Sequence, residues 1–116
     1  MNTGNKRATG SRYEQAAADF LRQQGLRILE QNYRCRQGEI DLIAQEGRTL
    51  VFVEVKYRKT AAMGDPAEAV TALKQSRIRN AAGYYLYSRR HGEDTPCRFD
   101  VVSILDQELR LIQDAF

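Results

Sequence analysis

The chain predicts one mixed α/β domain with helices packed on a sheet. Three observations lead there. Two β-branched runs flank a short glycine-bearing turn between residues 39 and 57. Two other segments carry apolar residues at helical spacing. The elements follow the order helix, strands, helix, strands, which suits helices laid on a sheet. With 116 residues, 42% of them apolar, the chain can fill one compact core and has little room for a second.

Residues 1 to 10 are polar and basic, with Thr3-Gly4-Asn5-Lys6 at their centre, and read as a flexible arm ahead of a domain spanning residues 11 to 116. The first helix is expected from Ser11, because Ser11-Arg12-Tyr13-Glu14 has capping-box spacing. Tyr13, Ala16, Ala17, Phe20, Leu21 and Gln24 then follow the helical period, and Gly25 ends it. Leu26 to Glu30 reads as a strand. Glu39 to Ala44 and Leu50 to Tyr57 read as a hairpin around the turn residues 45 to 49. Asp65-Pro66-Ala67-Glu68 has the cap, the proline and the third-position carboxylate of a second helix start. That helix should run to about Tyr87, burying Ala69, Val70, Leu73, Ala81 and Tyr85, with Gly83 weakening it. Arg98 to Leu105 and Leu109 to Ile112 form a final hairpin.

Composition excludes several chemistries. No apolar run approaches the roughly 18 residues of a membrane span, and the N-terminus lacks the apolar stretch of a signal peptide, so a cytoplasmic protein is expected. Cys35 and Cys97 are the only cysteines and form no CxxC pair, which reads as two free thiols. His91 is the only histidine, which argues against Ser-His-Asp, Cys-His and cysteine-histidine zinc sites. The net charge is +3, and its distribution says more than its size. Lys74, Arg77, Arg79, Arg89 and Arg90 fall within residues 69 to 92 without an acid among them, as do Lys56, Arg58 and Lys59 within residues 55 to 64. Such stretches suit a polyanion, or a solvated helix face and loop.

The central hairpin carries the chemistry. If Ala44 faces Val51, antiparallel pairing sets Leu42 against Val53 and Ile40 against Val55, three apolar pairs on one buried face. Alternation then puts Ile43 with Phe52, Asp41 with Glu54 and Glu39 with Lys56 on the other face. Two carboxylates directly opposite one another repel by roughly 0.2–1 kcal/mol, so something should offset them. Lys56 is one candidate. A divalent cation is a better one, because two carboxylates and a backbone carbonyl make a hard oxygen site of the kind magnesium prefers. Lys56 beside it would orient a water and stabilise charge on phosphoryl oxygens.

Gly38-Glu39-Ile40-Asp41-Leu42-Ile43-Ala44 and Leu50-Val51-Phe52-Val53-Glu54-Val55-Lys56-Tyr57-Arg58 resemble the YraN family, small bacterial predicted endonucleases related to archaeal Holliday junction resolvases. The resemblance extends through Glu14-Gln15-Ala16-Ala17, Asn32-Tyr33-Arg34, Ala69-Val70, Lys74 and Arg98-Phe99-Asp100-Val101-Val102. It covers about residues 10 to 105. It implies the restriction-endonuclease-like fold, a mixed sheet flanked by helices, and the PD-(D/E)xK site. On that basis Asp41 and Glu54 are metal ligands, the Val55 carbonyl is a further ligand, Lys56 is the catalytic lysine, and Glu14 is an additional ligand. Ile40 stands where the wider superfamily often has proline.

Glu14 therefore has two readings, that ligand role or the capping-box carboxylate near a favourable helix dipole. Glu39 is expected to support the ligands from behind. Lys74 and Gln75 are expected at the surface. Tyr33 reads either as a substrate contact or as core packing. Arg34, Arg58, Lys59, Lys74 and Arg77 are the expected nucleic-acid contacts. The function expected is magnesium-dependent cleavage of DNA, branched or otherwise structured, with manganese as a substitute and a homodimer where two coordinated cuts are needed. Two other functions compete with it. One is a nucleic-acid-binding module whose nuclease site is vestigial, and the other is a protein-interaction module using exposed sheet edges.

Overall fold

The β-branched runs pair near their turn, and helices cover both faces of the resulting sheet. The computed structural model describes residues 2–60 and 70–116, with side chains from Arg12 onward. Its elements are helix α1 (Asn2–Gln23), strands β1 (Arg27–Cys35), β2 (Gly38–Glu46) and β3 (Thr49–Arg58), helix α2 (Ala72–Ser88), and strands β4 (Cys97–Leu105) and β5 (Glu108–Ile112). The strands form one five-stranded sheet in chain order. All neighbours pair antiparallel except β3 and β4, which run parallel. A parallel pair needs a crossover connection, and α2 lies in it. This mixed α/β architecture is compatible with a restriction-endonuclease-like fold.

Two apolar cores result. Ala17, Ala18 and Leu21 of α1 pack on Leu42, Ala44, Val51, Val53 and Val102. Ile78, Ala81, Ala82 and Tyr85 of α2 pack on Ile40, Ile43, Phe52 and Val101 from the other side. Phe52 is fully buried, and its ring meets Tyr85 edge-on and stacks on Phe99. Removing a ring from such a position typically costs about 3–5 kcal/mol. A buried polar group ties down the C-terminus: Asp100 accepts from Arg98 Nε and from the Asp114 N–H, each at 3.0 Å.

Several boundaries differ from expectation. Helix α1 opens at Asn2, not Ser11, so residues expected as an arm continue the helix, and Ser11 lies within it rather than at its cap. It closes as expected: Gly25 has a positive φ of 94°, and the Leu26 N–H reaches back to the Leu21 carbonyl. Strand β1 runs five residues past Glu30, with a register shift between Ile28 and Glu30. The second-helix start expected at Asp65, and Ala69, lie outside the described residues. Within them α2 opens at Ala72, where the Thr71 hydroxyl accepts from the Lys74 N–H. Leu73, expected in the core, is 62% exposed, because at helical spacing it lies off the face formed by Ile78, Ala82 and Tyr85.

The hairpin keeps its register only in part. Ala44 faces Val51, Ile43 faces Phe52 and Leu42 faces Val53, as predicted. The paired register ends there, so Ile40–Val55, Asp41–Glu54 and Glu39–Lys56 do not continue it. Ile40 belongs to the α2-side core, whereas Leu42, two residues on, belongs to the α1-side core. The strand changes face between them. The cause lies in the neighbouring strand. Gln31 pairs with Leu42 and Tyr33 with Ile40, so Asn32 stands beside Asp41, and Asn32 has φ 54°. A left-handed residue breaks the pleat, and asparagine is among the few side chains that adopt it readily.

Candidate active site

Asp41 sits where β2 and β3 part. Its Oδ2 accepts from the Val55 N–H at 2.8 Å, so a side chain takes over an amide that a continuing β2 would have paired. Glu54 is buried, its side chain 4% exposed, and it pairs with Lys74 of α2 at 3.0 Å. Glu14 of α1 and Lys56 of β3 complete the group: with Asp41, Glu54, Val55 and Lys74 they line one cavity of about 230 Å³. Tyr13 and Tyr57 stack with centroids 4.1 Å apart and hold α1 against β3 beside it.

The electrostatics follow from crowding carboxylates out of water. Burial and then the charge of Asp41 push Glu54 from 4.5 up to about 7; Lys74 pulls the other way without prevailing. A hydrogen bond between Asp41 and Glu54, available only to a protonated partner, acts in the same direction. Burial and Asp41 also raise Glu14, while a hydrogen bond from Asn32 opposes them. Lys56 is lowered, first by burial and then by the neighbouring charge of Lys74. Lys74 itself is raised: burial works against it, and Glu54 outweighs that.

Several residues stand where the sequence did not put them. Lys74, expected at the surface, reaches into the site. In the structure Lys74 lies in the first turn of α2, where a lysine opposes the helix dipole, and its contact with Glu54 offsets that cost. Asn32 was quoted in the resemblance but given no task, and it supports Glu14. Glu14 has no capping-box role, since its helix begins three turns earlier. Glu39 pairs with Arg34 at 3.3 Å rather than with Lys56. Tyr33 meets Tyr85 edge-on and packs in the α2-side core. Arg34 and Arg77 share a cavity with Lys74. Arg58 turns back to donate to the Tyr57 carbonyl, and Lys59 is exposed. Cys35 and Cys97 are free thiols.

The donor chemistry of Glu14, Asp41 and Glu54 fits a hard divalent cation, and their mutual repulsion is what such a cation relieves. In the conformation described, however, no three His, Cys, Asp or Glu side chains among the described residues form a ready-made metal site. Lys74 holds Glu54, and the Val55 amide holds one oxygen of Asp41.

A mixed α/β fold with two carboxylates and a lysine at a parted hairpin, and a helix glutamate facing them, defines a protein compatible with the restriction-endonuclease-like class. The chain matches the family model of the uncharacterised protein family UPF0102 over residues 13–104. It is 55% identical to a UPF0102 protein of Lachnoclostridium phytofermentans, over 97% of this chain and 95% of that one. It is 50% identical to a UPF0102 protein of Nitrosomonas europaea, over 99% and 96% of the two chains. This protein belongs to the UPF0102 family, the YraN family of the sequence resemblance. Among the described residues, no helix is long and apolar enough to cross a membrane.

Proposed function

We propose that this protein is a metal-dependent endonuclease that hydrolyses DNA phosphodiesters, branched or otherwise structured DNA being the preferred substrate. One observation carries the reading: Glu14, Asp41, Glu54 and Lys56 line a single cavity at the point where β2 and β3 separate. Asp41, Glu54, Glu14 and the Val55 carbonyl would hold magnesium, with manganese as a substitute. Bound there, the ion would polarise a phosphoryl oxygen and acidify a water. The chain's own groups do the rest. The Val55 amide fixes the Asp41 carboxylate, Asn32 hydrogen-bonds Glu14, and Lys56, its ammonium destabilised by burial, lines the same cavity and would stabilise charge developing on phosphoryl oxygens. Two coordinated cuts in a branched substrate would call for a homodimer.

The test is cleavage of linear, single-stranded, flapped and four-way DNA with magnesium or manganese. Asp41→Asn, Glu54→Gln and Lys56→Ala should each lower the rate by about 10²-fold or more. Undiminished cleavage by Asp41→Asn removes the mechanism. A second reading, a DNA-binding module without turnover, is favoured by one contact, the Lys74 ammonium seated on Glu54 where a cation would be needed. It predicts salt-sensitive binding of every substrate and cleavage of none.

A further inference from the structure

Three neighbouring cavities, the carboxylate site among them, share lining residues. The site cavity shares Lys74 with a second of about 500 Å³, and that one shares Arg34 and Cys35 with a third of about 400 Å³. The route they mark lies between the first turns of α2 and the turn joining β1 to β2. Close packing sets its width. A Cβ built on Gly38, whose φ is +156°, would stand 3.1 Å from the Arg77 carbonyl oxygen, so α2 rests directly on the glycine end of that turn.

Four cations line the route: Lys74, Arg77, Arg34 and Arg36. The carboxylate lining the second cavity, Glu39, sits 3.3 Å from Arg34, both side chains being mostly exposed, and Lys74 lies 3.0 Å from Glu54 of the site. Two apolar groups lie among the charges. Leu73 is 62% exposed and lines the second cavity; Tyr84 is 44% exposed and lines the third. Eleven residues apart, they fall on one stripe of α2, separated by roughly 16 Å at the helical rise. Arg77 lies one turn after Leu73 on the same stripe.

Charge alone would suit any polyanion. Exposed apolar and aromatic side chains interleaved with cations in a groove suit bases that are not already stacked in a duplex. We propose that this groove carries a single-stranded DNA segment to the carboxylate site, its phosphates on Lys74, Arg77, Arg34 and Arg36 and its bases against Leu73 and Tyr84. The inference rests on the nuclease reading for the identity of the polyanion, and it narrows the substrate to DNA with a single-stranded stretch.

The experiment is fluorescence anisotropy on the full chain in EDTA, with a labelled oligothymidylate and a blunt duplex of equal length. The single strand should bind more tightly. Tyr84→Ala should weaken it roughly 5- to 150-fold, the usual loss of one base stack, with the duplex little changed. Tyr84→Phe, which keeps the ring, should restore it. Arg36→Glu and Arg77→Glu should each weaken binding and flatten its salt dependence, whereas Arg48→Glu, the same charge change in the β2–β3 turn, should not. Equal affinity for strand and duplex, wild-type binding by Tyr84→Ala, or an equal loss from Arg48→Glu overturns the groove. Because the assay contains no metal, its failure alongside Asp41-dependent cleavage refutes the groove alone. Success without cleavage of any substrate refutes the nuclease reading alone.

Discussion

Glu54 is where the site should destabilise the fold, and Glu54→Gln measures by how much. The side chain is 4% exposed, and its carboxyl is raised from 4.5 to about 7 by burial first and Asp41 second. The folded state therefore holds the Glu54 proton more tightly than the unfolded chain does. Below pH 4.5 both states are protonated and nothing is lost. As pH rises from 4.5 to about 7 the unfolded chain releases its proton first, and folding weakens. Above that range the loss is complete. The span corresponds to about 3 kcal/mol at 1.4 kcal/mol per tenfold change in proton affinity. Glutamine keeps the shape and cannot ionise, and its amide can donate to Asp41. The attraction of Lys74 is already counted in that net shift. Glu54→Gln should match the native protein below pH 4.5 and exceed it by about 3 kcal/mol above pH 7. Urea unfolding across that range without divalent cation provides the comparison. Parallel pH profiles, or a variant less stable above pH 7, would refute the account of a desolvated carboxylate crowded by Asp41.

Two other changes probe the frame. Asn32→Ala should cost about 1–2 kcal/mol, because alanine resists the φ of 54°; Asn32→Gly should spare the backbone, yet in both variants a carboxyl NMR titration should find Glu14 higher, since the opposing hydrogen bond is gone. Arg98→Ala should lower stability by about 3–5 kcal/mol in urea unfolding, since it leaves the fully buried Asp100 without its cation.

The parts legible in the sequence were those that depend on local pattern. Alternation placed Ala44 against Val51 and Leu42 against Val53, and a strand-like run with a central glycine gave the turn. What local pattern cannot encode is where a ladder stops. The pairing argument carried Asp41 to Glu54 by extending a regular register, and it brought the two carboxylates together for an incomplete reason. They meet at the mouth of a split, where Asp41 accepts an amide of the opposing strand. The split depends on Asn32, in an edge strand read as ending at Glu30. Lys74 was missed for a related reason. The apolar pattern does not say which carboxylate a lysine beside the buried face can reach, and the contact of Lys74 with Glu54 joins residues 20 positions apart in sequence.

The Lys74–Glu54 pair gives the site a consistent electrostatic logic. Burial first and the charge of Asp41 second raise both Glu14 and Glu54, and the fold supplies an internal cation from α2. That cation is also the residue shared between the carboxylate cavity and the basic groove. On the proposed function two anions would compete for Lys74, Glu54 inside and a phosphate outside. A divalent cation bound at Glu54 would free Lys74 for the phosphate, and a phosphate on Lys74 would leave Glu54 open to the cation. Each ligand favours the binding of the other through one side chain, so magnesium and DNA should bind with positive coupling, and by linkage the coupling must be equal in both directions. In Lys74→Met the exchange has no carrier. The gain in magnesium affinity on adding an oligonucleotide, measured by calorimetry, should then be smaller than in the native protein.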